Sequence, residues 1–406
     1  MKHLFVQILP IIWLTTVNGR EWKTFEVRWN VPTHQCKNWS EIQKPEHYGI
    51  LVNDEYKFYG NVVVTLYEEK FGLYPYYKNY SNLSSAVNGG IPQRANLTEH
   101  LLKVENDTIN AIPNENFDGL AIIDYEKWRP LYEHNWSTKR IYRNASIDYV
   151  KERYENITQE NATSIAIKEF NEAAMKFLTA TIREVKRIRP KALWGFYGMP
   201  FCNYSAGING TVACGEVYEE FNDRLKPLYM EATALYPSIY LPRRNSGAGG
   251  CLYVTSVLQE AKRCAEKLKP SVPIFTFIGF EYFPLNLTDP FYTEQDLFNS
   301  LHRSFDMGIQ GAIIWSTSKD MANRCLSIGN YIRDHLGPEV ENLKKLSEIC
   351  DNAKTNRITA NYTHEPLCAM RNGLYKYCHK INKKWDHSFS TSIVSTSTVT
   401  SKKKAK

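Results

Sequence analysis

The stretch Phe117-Asp118-Gly119-Leu120-Ala121-Ile122-Ile123-Asp124-Tyr125-Glu126-Lys127-Trp128-Arg129-Pro130 couples a short apolar run to two acidic residues and a Trp-Arg-Pro stop. In an extended strand alternate side chains share a face, so Leu120, Ile122, Asp124 and Glu126 point one way over Leu120–Glu126. The first two suit the filled interior of a barrel, and the last two fall where the strand ends. In (β/α) barrels the C-terminal strand ends are where catalytic side chains gather. Two carboxylates at that spacing do not both ionise cheaply, so one keeps its proton toward neutral pH and becomes a candidate proton donor. An isolated Asp-x-Glu is ordinarily a solvated strand end. Here the apolar run before it and Trp128-Arg129-Pro130 after it favour a site.

Working outward, similar runs recur along the chain. Strands are expected at Phe25–Trp29, Val62–Tyr67, Ala192–Tyr197, Ser238–Leu241, Pro273–Ile278 and Ala312–Trp315. Between them lie segments of helical period. Ser164 to Arg187 puts Ile165, Ile167, Phe170, Ala174, Phe177, Leu178 and Ile182 on one stripe, and Tyr253–Leu268 and Tyr292–Phe305 read the same way. Strand and helix alternating over most of the chain define an α/β fold with a mostly parallel sheet. Seven or eight strands of all-round hydrophobic character point to a distorted TIM-like (β/α) barrel, closed or nearly closed. No Gly-x-Gly-x-x-Gly follows a strand, and neither a phosphate loop nor a Gly-x-Ser-x-Gly elbow is present, which argues against dinucleotide, nucleotide and esterase chemistry.

The chain has 406 residues, 43% hydrophobic and 23% charged, enough for one large domain with an appendage and too apolar for global disorder. Its net charge of +7 is spread along the sequence and carries no nucleic-acid signature. With 26 Tyr, 18 Phe and 9 Trp it is rich in the flat amphipathic rings that line ligand clefts. Residues 1–19 read as a secretory signal peptide: Lys2 and His3, an apolar run from Leu4 to Val17, then small or polar residues. No later apolar stretch is long enough for a membrane span. Thirteen Asn-x-Ser/Thr sequons, at Asn38, Asn79, Asn82, Asn96, Asn106, Asn135, Asn144, Asn156, Asn161, Asn203, Asn209, Asn286 and Asn361, agree with a glycosylated, secreted protein. In that compartment the nine cysteines read as disulfide formers, with one left over. No Cys-x-x-Cys or His-Glu-x-x-His occurs, and no metal or cofactor is expected. The expected domains are a catalytic barrel over 20–340, a small Cys-containing extension over 341–381, and a Ser/Thr/Lys-rich disordered tail over 382–406.

The segment Gly119–Pro130 closely resembles the active-site segment of the hyaluronidases of glycoside hydrolase family 56. The same order of landmarks continues elsewhere: Trp29-Asn30-Val31-Pro32-Thr33 followed by Cys36, then Asn88-Gly89-Gly90-Ile91-Pro92-Gln93. Leu193-Trp194-Gly195-Phe196-Tyr197-Gly198-Met199-Pro200, Leu235-Tyr236-Pro237-Ser238-Ile239-Tyr240 and Ile313-Ile314-Trp315-Ser316 complete it. The likeness covers about residues 22 to 340, and the short secreted chain is most similar to arthropod venom members.

The resemblance implies an endo-β-N-acetylhexosaminidase acting on the β-1,4 bonds of hyaluronan and, more slowly, chondroitin. These glycosaminoglycans would be its partners, with no nucleic acid or membrane, and the protein would be a monomer. Glu126 matches the proton donor. Asp124 matches the residue that holds it and supports the substrate's acetamido group, whose carbonyl is the nucleophile. Tyr197 and Tyr240 match the tyrosines that orient that group, Trp315 the aromatic floor of the sugar pocket, and Tyr67 and Arg129 cleft positions near substrate. Tyr67-Glu68-Glu69 departs from the family's usual Tyr-Asp-Pro. The family pattern pairs Cys36 with Cys325 and Cys202 with Cys214, and leaves Cys251, Cys264, Cys350, Cys368 and Cys378 unassigned. The alternative is a non-catalytic hyaluronan-binding homologue, against which the presence of Glu126 argues.

Overall fold

A computed structural model describes residues 16–17, 20–21, 24–37, 39, 44–208, 210–243, 247–286 and 288–356. Apart from Thr16 and Val17 the expected leader lies outside them, as do Asn38, Asn209, Asn361, Cys368, Cys378 and the expected tail.

Parallel strands surround one interior. They are β1 (Glu26–Asn30), β2 (Leu51–Val52), β3 (Val63–Tyr67), β4 (Leu120–Asp124), β5 (Leu193–Phe196), β6 (Phe275–Ile278) and β7 (Gly311–Trp315). β6, β7, β1 and β2 pair in that order, and β3, β4 and β5 form a second run. Side chains and single bridges join the two runs. At one seam Asn53 donates to Val63 O (2.8 Å) and accepts from the N–H groups of Val62 and Val63 (both 2.9 Å). Thr65 Oγ1 donates to Asn30 Oδ1 at 2.9 Å across the same gap. At the other seam residues 235–239 make parallel bridges, Leu235 to Ile274 and Ser238 to Phe277, with Tyr236 bridged to Tyr197. The outcome is the distorted (β/α) barrel read from the sequence.

The strand expected over Ser238–Leu241 does not form. Its stave sits at 235–239 and stays bridge-like because Pro237, which has no N–H, interrupts the ladder. At Gly195 on β5, an added Cβ would lie 2.3 Å from the carbonyl oxygen of Ala234 and 2.8 Å from the Tyr236 ring, so only glycine lets this stave approach.

The helices pack outside. They include α1 (Leu97–Ala111), α2 (Arg140–Lys151), α3 (Gln159–Ile188), α4 (Ala248–Glu266), α5 (Glu294–Asp306), α6 (Met321–Tyr331) and α7 (Gly337–Asn356). Asn96, Thr158 and Thr293 cap α1, α3 and α5 by accepting from the N–H of Glu99, Asn161 and Asp296. The α3 stripe buries Phe170, Ala174, Phe177, Leu178, Ile182 and Val185. Rings such as Phe177 contribute about 3–5 kcal/mol each, as measured by truncation. The boundary expected at residue 341 falls inside α7.

Inside the barrel, Val63, Leu120, Ile122, Leu193, Tyr236, Phe275, Phe277 and Ile313 form a separate apolar column. Tyr197, Tyr240 and Trp315 pack on it while only half-buried, so the column ends in an aromatic layer. Cys36–Cys325 and Cys202–Cys214 are disulfide-bonded, and Cys251 is also in a disulfide. Among the described residues the free thiol is the buried Cys264.

Candidate active site

The strand expected over Leu120–Glu126 is shorter in the structure: the β4 ladder stops at Asp124 and does not reach Glu126. β3 ends opposite Asp124 at Tyr67, and the N–H of Glu68 takes the carbonyl of Asp124 at 3.1 Å, after which no neighbouring strand offers a partner. Beyond that point side chains still alternate. Tyr125 turns outward into the core against Tyr74 and Phe177 and donates its hydroxyl to Phe71 O at 2.8 Å, while Glu126 faces the cleft.

The two carboxylates therefore occupy different environments. Asp124 is 7% exposed, and its Oδ1 is buried with no hydrogen-bond partner. Burial pushes its carboxyl well above the usual range. The charges of Glu126 and Glu68 push it further, against the opposing pull of Arg129 and Lys127. Glu126 keeps 48% of its side chain exposed, with Arg129 Nη1 at 3.9 Å from Oε1. Its N–H is directed at Glu68 Oε2 (3.4 Å), and its carbonyl accepts from Lys139 Nζ, which also donates to Lys127 O at 3.0 Å. Glu68, itself pushed up by burial, is 3.5 Å from Lys127 Nζ.

The aromatic layer forms the floor. Trp315 Nε1 donates to Tyr67 Oη at 2.8 Å, tying the indole to the end of β3. Tyr197 Oη donates to Ser238 Oγ at 3.3 Å. The Tyr240 ring stands between Tyr197 (centroids 6.5 Å) and Trp315 (6.1 Å). Burial raises the pKa of all three tyrosine hydroxyls, so they remain neutral donors at any physiological pH.

Two cavities open over this floor. One, of about 420 Å³, is lined by Glu126, Arg129, Lys139, Tyr197, Ser238 and Tyr240 among others. The second, of about 400 Å³, shares Tyr204, Tyr240 and Tyr253 with the first and adds Trp315, Glu281 and Tyr292. Together they make a continuous aromatic cleft, basic at one end. At the other end Glu281 is held by Arg324 Nη2 at 2.6 Å and by Ser316 Oγ. Asp124 and Tyr67 line neither cavity.

All seven residues singled out in the sequence lie in one region: Glu126, Arg129, Tyr197, Tyr240 and Trp315 in the cavity linings, Tyr67 bonded to Trp315, and Asp124 opposite Tyr67 at the end of β4. Sequence reasoning missed Glu68, Lys139, Tyr204 and Tyr253. Of these only Glu68 left a signal, since it directly follows a strand end; the others come from loops and helix faces that no local pattern marks. Among the described residues no His, Cys, Asp and Glu converge as metal ligands. The cleft-side His134 is held down to about 3 by burial first and then by Arg129 and Arg224, and it packs as a neutral ring on Phe221.

The sequon at Asn135 serves the site as a brace. Its side chain is 0% exposed; Nδ2 donates to Arg129 O (3.0 Å) and Leu131 O (2.9 Å), and Oδ1 accepts from Arg129 N (2.8 Å). A glycan there would replace one of those N–H donors and have no outlet.

The profile described as hyaluronidase matches residues 17–395. A Caenorhabditis elegans protein named chondroitin hydrolase is 36% identical over 324 residues, covering 78% of this chain and 69% of its own. Mus musculus hyaluronidase-1 is 32% identical over 360 residues, covering 87% of this chain and 77% of its own. The crystal structure of bee venom hyaluronidase in complex with a hyaluronic acid tetramer superposes with a TM-score of 0.72 at 30% identity, covering 79% of this chain and 99% of that one.

Proposed function

The chain belongs to the hyaluronidase family of glycoside hydrolases, and from that premise we propose that it is a secreted endo-β-N-acetylhexosaminidase that cuts hyaluronan and, more slowly, chondroitin, with Glu126 as proton donor. The observation that carries this reading is the split environment of the two carboxylates. Glu126 is half-exposed in the wall of a long aromatic cleft, and Asp124 is buried just behind it with a raised pKa and an unpaired Oδ1.

In the proposed reaction Glu126 gives its proton to the glycosidic oxygen as the C–O bond breaks. The acetamido carbonyl oxygen of the substrate closes on the anomeric carbon, so no enzyme carboxylate is needed as nucleophile. Asp124 faces the acetamido nitrogen as its positive charge develops, and Tyr197 and Tyr240 hold that group by their neutral hydroxyls. Water then opens the cyclic intermediate, returning its proton to Glu126. Arg129 supplies positive charge along the wall for a polyanionic chain. The nematode relative named chondroitin hydrolase supports including chondroitin.

Secretion is supported by the leader pattern at 1–19, the sequons and the disulfides; among the described residues no helix is long and apolar enough to cross a membrane. A spreading role in venom, which the bee venom likeness favours, and a monomeric state complete the proposal. The decisive experiment is a reducing-end assay on hyaluronan with the parent protein and Glu126→Gln. Loss of the acid should lower turnover by about 10²–10⁴-fold with polymer binding kept. Full activity in Glu126→Gln removes the donor assignment, and binding without cleavage by the parent establishes the non-catalytic alternative.

A further inference from the structure

We propose that Lys139 is a positioning residue that fixes the peptide carrying Glu126; the proposal rests on the reading of Glu126 as donor. Glu126 lies beyond the end of β4, so no ladder holds it. What replaces the ladder is a pair of side chains from two separate elements. Glu68, just past β3, takes the Glu126 N–H at 3.4 Å. Lys139, from the 3-10 turn Ser137–Lys139, donates to the carbonyls of Glu126 and Lys127. One residue is thereby gripped at both its donor and its acceptor.

Lys139 is placed for this. Among the described residues it forms no ion pair, and its ammonium, half-buried 5.6 Å from the Tyr80 ring centroid, is directed at backbone oxygens. Burial first and then Arg129 lower its pKa to about 8, a cost that a lysine retained for solubility does not bear. The segment that delivers it accepts a left-handed Ser137 at φ 55°. Four residues earlier in the same segment, Asn135 ties both backbone groups of Arg129 and the carbonyl of Leu131. Residues 135–139 thus hold the backbone of 126, 127, 129 and 131, which carries both the proposed donor and its guanidinium neighbour. Placement matters because the donor must meet one glycosidic oxygen, and a shift of about 1 Å in a reacting group costs about 10²-fold.

The test is a double-mutant cycle in the full-length secreted protein with hyaluronan, reading kcat and KM separately. Lys139→Met keeps the stem and removes the donors. It should lower kcat about 10–100-fold with KM within about twofold. Lys139→Met combined with Glu126→Gln should be no slower than Glu126→Gln alone, because misplacing an absent acid changes nothing. Should Lys139→Met fail to fold, Lys139→Gln is read in the same way. A raised KM with kcat intact overturns the proposal and makes Lys139 a contact for the polyanion. So does an additive loss in the double variant, or parental kinetics in the single. Unchanged activity in Glu126→Gln is a separate result that overturns the donor reading itself.

Discussion

Removing the disulfide that links the first full strand of the barrel to the last should destabilise the fold more than removing the other, by an amount that loop length sets. Cys36 follows β1, and Cys325 lies on α6 after β7; β1 and β7 are neighbours in the sheet, so the bond staples the first full strand of the chain to the last. It closes a sequence separation of 289, against 12 for Cys202–Cys214. The chain-entropy expression gives about 5–6 kcal/mol for the long loop and about 3 kcal/mol for the short one. For a barrel of this size the unfolding entropy is about 0.7 kcal/mol/K, so Cys36→Ala/Cys325→Ala should lower Tm by about 8 °C and Cys202→Ala/Cys214→Ala by about 4 °C. The effect acts through the unfolded chain, so kcat at 25 °C should stay within about twofold of the parent for the Cys36→Ala/Cys325→Ala variant. Calorimetry at one fixed scan rate, with a reducing-end assay on the same samples, measures both. An equal or larger drop for the short loop refutes the entropic argument. A large fall in kcat for that variant shows that the staple shapes the cleft as well as the stability.

Two further outcomes follow from the site. Burial raises the folded-state pKa of Asp124 above its unfolded value, so the folded chain holds a proton that the unfolded chain releases. That contribution to stability is full below about pH 4 and is lost as pH rises toward the folded pKa. Asp124→Asn has no such loss, so the Tm difference between variant and parent should grow from about pH 4 to about pH 7; a constant difference in melts across that range rules out the raised pKa. Tyr240→Phe removes a single hydroxyl from a ring that remains packed between Tyr197 and Trp315, and kcat/KM should fall about tenfold with Tm little changed. Parental kinetics in that variant place the hydroxyl outside the reaction.

The sequence revealed features that depend on local periodicity. α3 was legible because its apolar stripe persists for many turns, and β4 because Leu120 and Ile122 alternate with the rest of a buried run. The stave at 235–239 was misplaced because its pairing consists of single bridges around Pro237, which leave no period to follow. The domain boundary expected at 341 falls within α7, whose polar sequence leaves little apolar period to follow. Long-range polar contacts left no trace at all. Asn53 completes a strand seam, and Asn135 reads as a sequon while acting as a buried brace, yet nothing near either in the sequence distinguishes them from surface asparagines.

The difference between the expected and observed ends of β4 bears directly on the chemistry. Had the strand run on to Glu126, both carboxylates would sit on one inward face with similar burial, and the site would have two equivalent acids sharing a proton. The ladder ends two residues early, leaving Asp124 in the barrel wall and Glu126 on a loop that reaches the cleft. Burial then assigns the roles. The enclosed Asp124 carboxyl has its pKa raised and keeps an unused acceptor oxygen, suited to a polar group that presses against it, while Glu126 stands open to the cleft. A loop costs precision, which a strand would have supplied through its neighbours. Here Glu68, Lys139 and Asn135 hold the loop's backbone groups one by one, and of these only Glu68, at a strand end, is marked by sequence periodicity.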